Sequence, residues 1–177
     1  MTAILWPEPA ITRALFVFLG AVVAQRIVEL RLCARNSRAL LARGAQEWGA
    51  GHYPLLVLVH TIFPLGLAAE VVLLGARPNA GWPFWLALWL AAQVLRYAAV
   101  RELGSRWSTR ILVLPGAPLI ASGPYLFLRH PNYVAVVTEL IAGSLMFGAW
   151  RTALVVTLLN AVALRIRISA EQRALGG

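Results

Sequence analysis

Gly123-Pro124-Tyr125-Leu126-Phe127-Leu128-Arg129-His130-Pro131-Asn132-Tyr133 is a turn with a polar end, set between two stretches apolar enough to cross a membrane. The step His130-Pro131 switches the backbone from one conformation to another. A proline pushes its predecessor out of the helical region and itself suits a first helical turn. The turn therefore delivers the chain into a new apolar helix, with a guanidinium, an imidazole and a phenol held at its mouth.

Outward from that turn, the apolar pattern repeats. Segments at about Ile11 to Leu30, Tyr53 to Gly75, Trp82 to Val100, Tyr133 to Ala149 and Thr152 to Ile168 each approach the roughly 20 residues that cross ~30 Å of hydrocarbon, the last two being shortest. The chain is 60% hydrophobic and only 13% charged, which suits a polytopic membrane protein better than a soluble domain of this length. The reading is an all-α polytopic bundle of about five transmembrane helices, in one domain spanning residues 1–177. The first apolar stretch lacks a basic leader and an obvious cleavage site, so it is read as a retained helix.

The connections set the orientation. Ala76 to Gly81 and Gly148 to Arg151 are tight turns joining antiparallel pairs, whereas Arg31–His52 and Arg101–Asn132 are long and arginine-bearing. The long loops and the tail carry eleven arginines (Arg31, Arg35, Arg38, Arg43, Arg101, Arg106, Arg110, Arg129, Arg165, Arg167, Arg173), against three (Arg13, Arg77, Arg151) on the other side. Basic loops stay in the cytoplasm. The N-terminus is thus expected outside and the C-terminus in the cytoplasm, with Trp82, Phe84 and Trp85 as an outer aromatic belt and Cys33 in the first cytoplasmic loop.

The net charge of +9 is spread rather than gathered into an aromatic-interleaved basic patch, so anionic lipid headgroups, and not nucleic acid, are the expected partner. Cys33 is the single cysteine, which excludes an internal disulfide. His52 and His60 stand eight apart and miss the i, i+4 spacing of two ligands on one helix, so neither a metal nor a haem site is expected. Within the helices, Arg26 and Glu29 are one turn apart and suit a pair, Arg96 and Glu139 suit a pair across helices, and Glu70 near its helix end is expected to reach water. No Gly-rich strand–turn–helix phosphate loop occurs, which excludes a Rossmann-type nucleotide domain.

The last helix runs on past the membrane surface as Leu164-Arg165-Ile166-Arg167-Ile168-Ser169-Ala170-Glu171-Gln172. Steps of three and four residues put Asn160, Leu164, Arg167 and Glu171 on one stripe. The plain reading is a snorkelling arginine beside a solvated glutamate, but the Arg-then-Glu order is the weaker helix pair and leaves room for other partners.

Arg167-Ile168-x-x-Glu171-x-x-x-Leu175, following Gly123-Pro124-Tyr125 and Arg129-His130-Pro131-x-Tyr133, resembles the isoprenylcysteine carboxyl methyltransferase family over about residues 85–175. Glu29, Asn36, Glu47, His52-Tyr53-Pro54 and His60 are similar to a bacterial branch of that family, associated with hydroxyl groups of long-chain polyketides. The resemblance implies an integral enzyme of a bacterial inner membrane that methylates an oxygen of a lipophilic substrate with S-adenosylmethionine, at a cytoplasmic cofactor-binding loop. It implies cofactor contacts from Ala117, Pro118, Leu119 and Ile120, from Tyr125, from His130, Pro131, Asn132 and Tyr133, and from Glu171. It gives Arg167 the acceptor. A carboxylate acceptor needs no base at neutral pH, whereas a phenol of pKa ~10 does, and His130 and Glu171 are both candidates for that task. The sequence departs from the family pattern at Ala117, where a histidine is common, and at Gln172, where a second glutamate is common. Two other readings fit the same residues: an N-methyltransferase of phospholipid headgroups, and a helical scaffold or transport subunit whose arginines only set topology.

Overall fold

The computed structural model describes residues 8–174. Five α-helices form: α1 (Glu8–Ala42), α2 (Tyr53–Val72), α3 (Trp82–Leu103), α4 (Pro131–Met146) and α5 (Trp150–Ala174). Among the described residues four helices are long and apolar enough to cross a membrane; α4 is the exception. Its 16 residues reach only about 24 Å at 1.5 Å per residue. Five helices therefore stand where five were expected, but the fourth, bounded by Pro131 and by the Gly148 turn, falls short of a full span.

The helices alternate in direction, so the α2–α3 and α4–α5 turns share one end with the start of α1. There Arg77 Nε donates to Glu8 at 2.9 Å. Gly148 sits at φ +73°, and a Cβ on it would lie 2.1 Å from the Arg77 carbonyl oxygen, so only glycine lets these two turns touch. Phe84 meets Trp85 edge-on at 5.0 Å at the same end.

At the opposite end the expected first polar loop is mostly helix. α1 runs 35 residues, about 52 Å, and carries its polar last turns well beyond the hydrocarbon. Cys33 is consequently buried on α1 and not displayed on a loop. Its Sγ lies 3.0 Å from the Thr109 hydroxyl and accepts the Thr109 N–H at 3.3 Å. One turn on, buried Asn36 donates to the carbonyls of Gly104 and Trp107 at 3.1 and 2.9 Å. The two long connections are clipped together by a short antiparallel pair, β1 (Gln46–Trp48) and β2 (Ile111–Val113), reinforced by Arg110 on Glu47 at 3.1 Å. An all-α reading had no place for that clip.

In lipid, helices associate through close packing and internal polar contacts, because lipid tails are as apolar as leucine. α3 and α4 pack most extensively. Their buried positions include the small residues Ala92, Ala99, Ala135 and Ala142. A charge-balanced cluster joins the pair to α1. Arg26 bonds Glu29 at 2.6 Å and Glu139 at 3.1 Å, while Arg96 grips Glu139 through Nε at 2.6 Å and through Nη2. Gln93 adds a 2.8 Å bond to Glu139. Both expected pairs form, as one network.

Glu70 does not reach water. It is buried and accepts the backbone N–H groups of Arg151 and Thr152 at 3.1 and 2.7 Å and the Thr152 hydroxyl at 2.7 Å. The first N–H groups of α5 have no partner within their own helix, so a carboxylate from α2 supplies the cap that the local sequence lacks.

Candidate functional site

The break at His130-Pro131 forms as its residue types require. Proline opens α4, and His130 before it is non-helical at φ −135°, ψ 65°. The His130 ring then lies flat against the Tyr133 ring, with centroids 4.9 Å apart and planes 10° from parallel. From α5, Arg167 and Glu171 arrive on successive turns. The Tyr133 hydroxyl donates to Glu171 Oε2 at 2.7 Å and accepts from Arg167 Nε at 2.7 Å. His130 Nδ1 lies 3.7 Å from the same carboxylate oxygen. Arg167, Tyr133, Glu171 and His130 therefore form one contiguous polar string, which sequence spacing alone had left as two separate motifs.

Arg167 is buried and braced from three sides. Besides Tyr133, its Nη1 donates to the Thr109 carbonyl at 2.6 Å and lies 3.4 Å from His52 Nε2. A guanidinium has five N–H groups, and among the described residues these contacts leave the two on Nη2 without a hydrogen-bond partner. His52 reaches α5 because the chain beside it is glycine. A Cβ on Gly49, at φ +61°, would meet the Ala170 Cβ at 2.8 Å.

Two cavities flank the string. A cleft of about 310 Å³ lies on the loop side, lined by Tyr125, Arg129, His130, Tyr133, Glu171, Leu119 and Ile120 among others. A smaller chamber of about 80 Å³ lies inside the bundle, lined among others by Tyr53, His60, Arg96, Asn160, Leu164 and Arg167. Trp107, Ser108, Asn132, Tyr133 and Arg167 border both. The string is thus a partition between a loop-side cleft and a chamber among the helices. Along the expected stripe on α5, Asn160 and Leu164 line the chamber, Arg167 borders both cavities, and Glu171 lines the cleft.

Within the cleft, burial and then the nearby carboxylates of Glu171 and Glu102 push the Tyr125 hydroxyl up to about 12. It remains a neutral hydrogen-bonding group. Ala117 and Pro118 line an adjoining space of about 210 Å³ together with Leu119, Ile120, Arg167 and Glu171. The Ala117 N–H already donates to Leu114, and the Pro118 carbonyl accepts from Arg106 at 2.6 Å. Among the described residues, the N–H groups of Leu119 and Ile120 have no hydrogen-bond partner. Pro131 is buried as the helix start, and Asn132 faces Arg96, Oδ1 to Nη1, at 3.5 Å.

Sequence reasoning gave no site role to Thr109, Trp107 and Ser108. A backbone carbonyl that braces an arginine carries no residue-type signal. His52 had appeared among the residues shared with the bacterial branch, and its place beside Arg167 now has a geometry.

Residues 85–176 match the family model described as the isoprenylcysteine carboxyl methyltransferase (ICMT) family. The uncharacterized protein YpbQ of Bacillus subtilis (strain 168) is 37% identical over 160 residues, covering 90% of this chain and 95% of that protein. An uncharacterized Haemophilus influenzae protein is 29% identical over 157 residues, covering 88% of this chain and 91% of its own length. The family match takes in α3 from its fourth residue onward, α4, α5 and the whole Tyr133–Glu171–Arg167 string. An integral membrane helix bundle with that partition at its polar end is a member of the isoprenylcysteine carboxyl methyltransferase family.

Proposed function

We propose that the protein is a membrane-embedded O-methyltransferase that uses S-adenosylmethionine to methylate an oxygen on a lipophilic acceptor. One observation carries the reading: Arg167 and Tyr133 form the common wall of a polar cleft and an intramembrane chamber. A polar cofactor and a membrane-dissolved substrate can meet across such a wall.

The cleft's donor set fits this cofactor. A sulfonium is attracted by a carboxylate and by π faces, which Glu171 and the stacked His130–Tyr133 rings supply. An amino-acid carboxylate is suited by Arg129 and by the N–H groups of Leu119 and Ile120. Bound there, S-adenosylmethionine supplies an activated methyl group whose sulfur leaves as a neutral thioether. The residues of the chain do the rest. Arg167, fixed by Tyr133, Thr109 and His52, offers its Nη2 donors to the acceptor oxygen and stabilises its anionic form. Holding acceptor and methyl in line is worth about 7–11 kcal/mol of barrier. A carboxylate acceptor has no proton to lose at neutral pH. A phenol does, and Glu171, bonded to the Tyr133 hydroxyl, is positioned to receive it through that hydroxyl.

The test is radiolabelled methyl transfer, with the protein in lipid nanodiscs, to a long-chain alkylresorcinol, a prenylcysteine analogue and phosphatidylethanolamine side by side. Transfer to an oxygen acceptor is expected. Transfer to the amine lipid alone would replace this reading with an N-methyltransferase, and no transfer with no cofactor binding would leave a scaffold.

A further inference from the structure

Asn160 is the side chain on the wall of the inner chamber whose polar atoms are, among the described residues, fully buried without any hydrogen-bond partner. Arg26, Glu29 and Arg96 satisfy one another, Asn132 faces Arg96, and Arg167 is braced on three sides. Asn160 is 1% exposed, lines the chamber, and has neither Nδ2 nor Oδ1 hydrogen-bonded to any described residue. Thr157 also carries an unpartnered hydroxyl, but it is not part of the chamber wall. A carboxamide buried in a bundle without partners destabilises it, and a leucine of similar size would not. Local rules broken in this way mark functional positions.

We propose that Asn160 is a specificity-determining residue that hydrogen-bonds a second, neutral hydroxyl-type group on the acceptor head. That group lies between the oxygen held at Arg167 and the apolar tail. The inference rests on the acceptor site proposed above and adds the chemistry of what fills it. α5 runs toward the polar end, so Asn160 lies two turns deeper than Arg167, about 10 Å along the axis before the arginine side chain shortens the gap. A carboxamide presents a donor and an acceptor side by side, which matches a group that both accepts and donates. An anion would take only the Nδ2 donors and leave Oδ1 unpaired, so it is better placed at Arg167. A head bearing a single oxygen satisfies Arg167 and leaves Asn160 unpaired, so the pocket discriminates by what a poorer acceptor lacks. Sites built to bond a polar group reject analogues without it far more strongly than apolar pockets reject extra bulk.

The test is equilibrium binding of tritiated acceptors to the full chain in nanodiscs. The probes are a long-chain alkylphenol and its two derivatives with a second ring hydroxyl, meta or para to the first. The wild type is expected to bind at least one dihydroxy probe roughly tenfold more tightly than the monohydroxy probe. Asn160→Leu and Asn160→Ala are expected to bind all three alike, and the leucine variant to melt at a higher temperature than the wild type. No preference in the wild type, or a preference that survives both substitutions, overturns the proposal. Methyl transfer is assayed on the same samples to separate the two readings. A preference without transfer to any acceptor retires the methyltransferase and keeps the pocket, whereas transfer without a preference retires only the role of Asn160.

Discussion

The Tyr133 hydroxyl donates to Glu171 at 2.7 Å across 38 residues of sequence, and the same oxygen accepts Arg167 Nε at 2.7 Å. One phenol thereby couples the start of α4 to two successive turns of α5. It also separates two tasks, since of these two cavities Glu171 lines only the loop-side cleft, whereas Arg167, on the shared wall, also reaches the chamber within the bundle.

That separation is open to kinetic test. Arg167→Ala is expected to lower turnover by roughly a hundred- to a thousandfold, the usual effect of removing a group that stabilises developing charge. Cofactor affinity should stay close to wild type, because Tyr133 keeps its bond to Glu171. Loss of cofactor binding together with turnover would show that Arg167 serves the cofactor in the cleft and not the acceptor alone.

Orientation is tested by labelling, with sites chosen from the fold. Buried Cys33 is unsuited to a thiol reagent, so it is replaced by serine and a cysteine is placed at exposed Arg43 or exposed Ala80. A membrane-impermeant reagent on intact cells is expected to modify the cysteine at position 80 and spare that at 43, with the reverse in inverted vesicles. The opposite pattern contradicts an outside N-terminus.

The buried charge cluster makes a stability prediction. Glu139→Ala leaves Arg96 and Arg26 short of a partner and is expected to cost about 3–5 kcal/mol. The double variant Arg96→Met, Glu139→Leu should lose markedly less than the two single variants added together. A double variant at or beyond that sum, measured by thermal melts in detergent, means the two residues do not act as a pair.

How much of this was readable in advance depended on whether a feature was local or distant in sequence. The break at His130-Pro131 is set by proline's own geometry, and the Asn160–Arg167 stripe by helical period, so both are visible without coordinates. The extension of α1 through Cys33 and Asn36 is not. Those polar residues look like a loop until the Gly104–Thr109 turn arrives to bond them. Glu70 fails for the same reason, since its partners are the backbone groups of a helix 81 and 82 residues away. The shortness of α4 was suggested by its segment. The β1–β2 clip was hidden, because three-residue strands carry too little pattern to stand out.

Tyr125 provides a titration with a definite sign. Its hydroxyl is raised to about 12 in the folded protein, above the ordinary value of about 10. Folding therefore favours the neutral phenol. The associated stability is present in full below pH ~10 and lost as pH rises toward 12. Ultraviolet difference titration of wild type against Tyr125→Phe should remove one phenol ionising near pH 12, and removal of one ionising near 10 refutes its shielding in the cleft.

Calorimetric titration of S-adenosylmethionine into the full chain in nanodiscs tests most directly whether the cleft beside Tyr133 and Glu171 holds it. Wild-type protein is expected to bind one equivalent, and His130→Ala and Tyr133→Ala to bind it ten- to a hundredfold more weakly while still folded. That factor corresponds to about 1.5–3 kcal/mol, the loss of a desolvated ring's attraction for the sulfonium together with the Glu171 carboxylate that Tyr133 positions. No heat of binding in the wild type, or equal affinity in all three proteins, would contradict the assignment of that cleft to the cofactor.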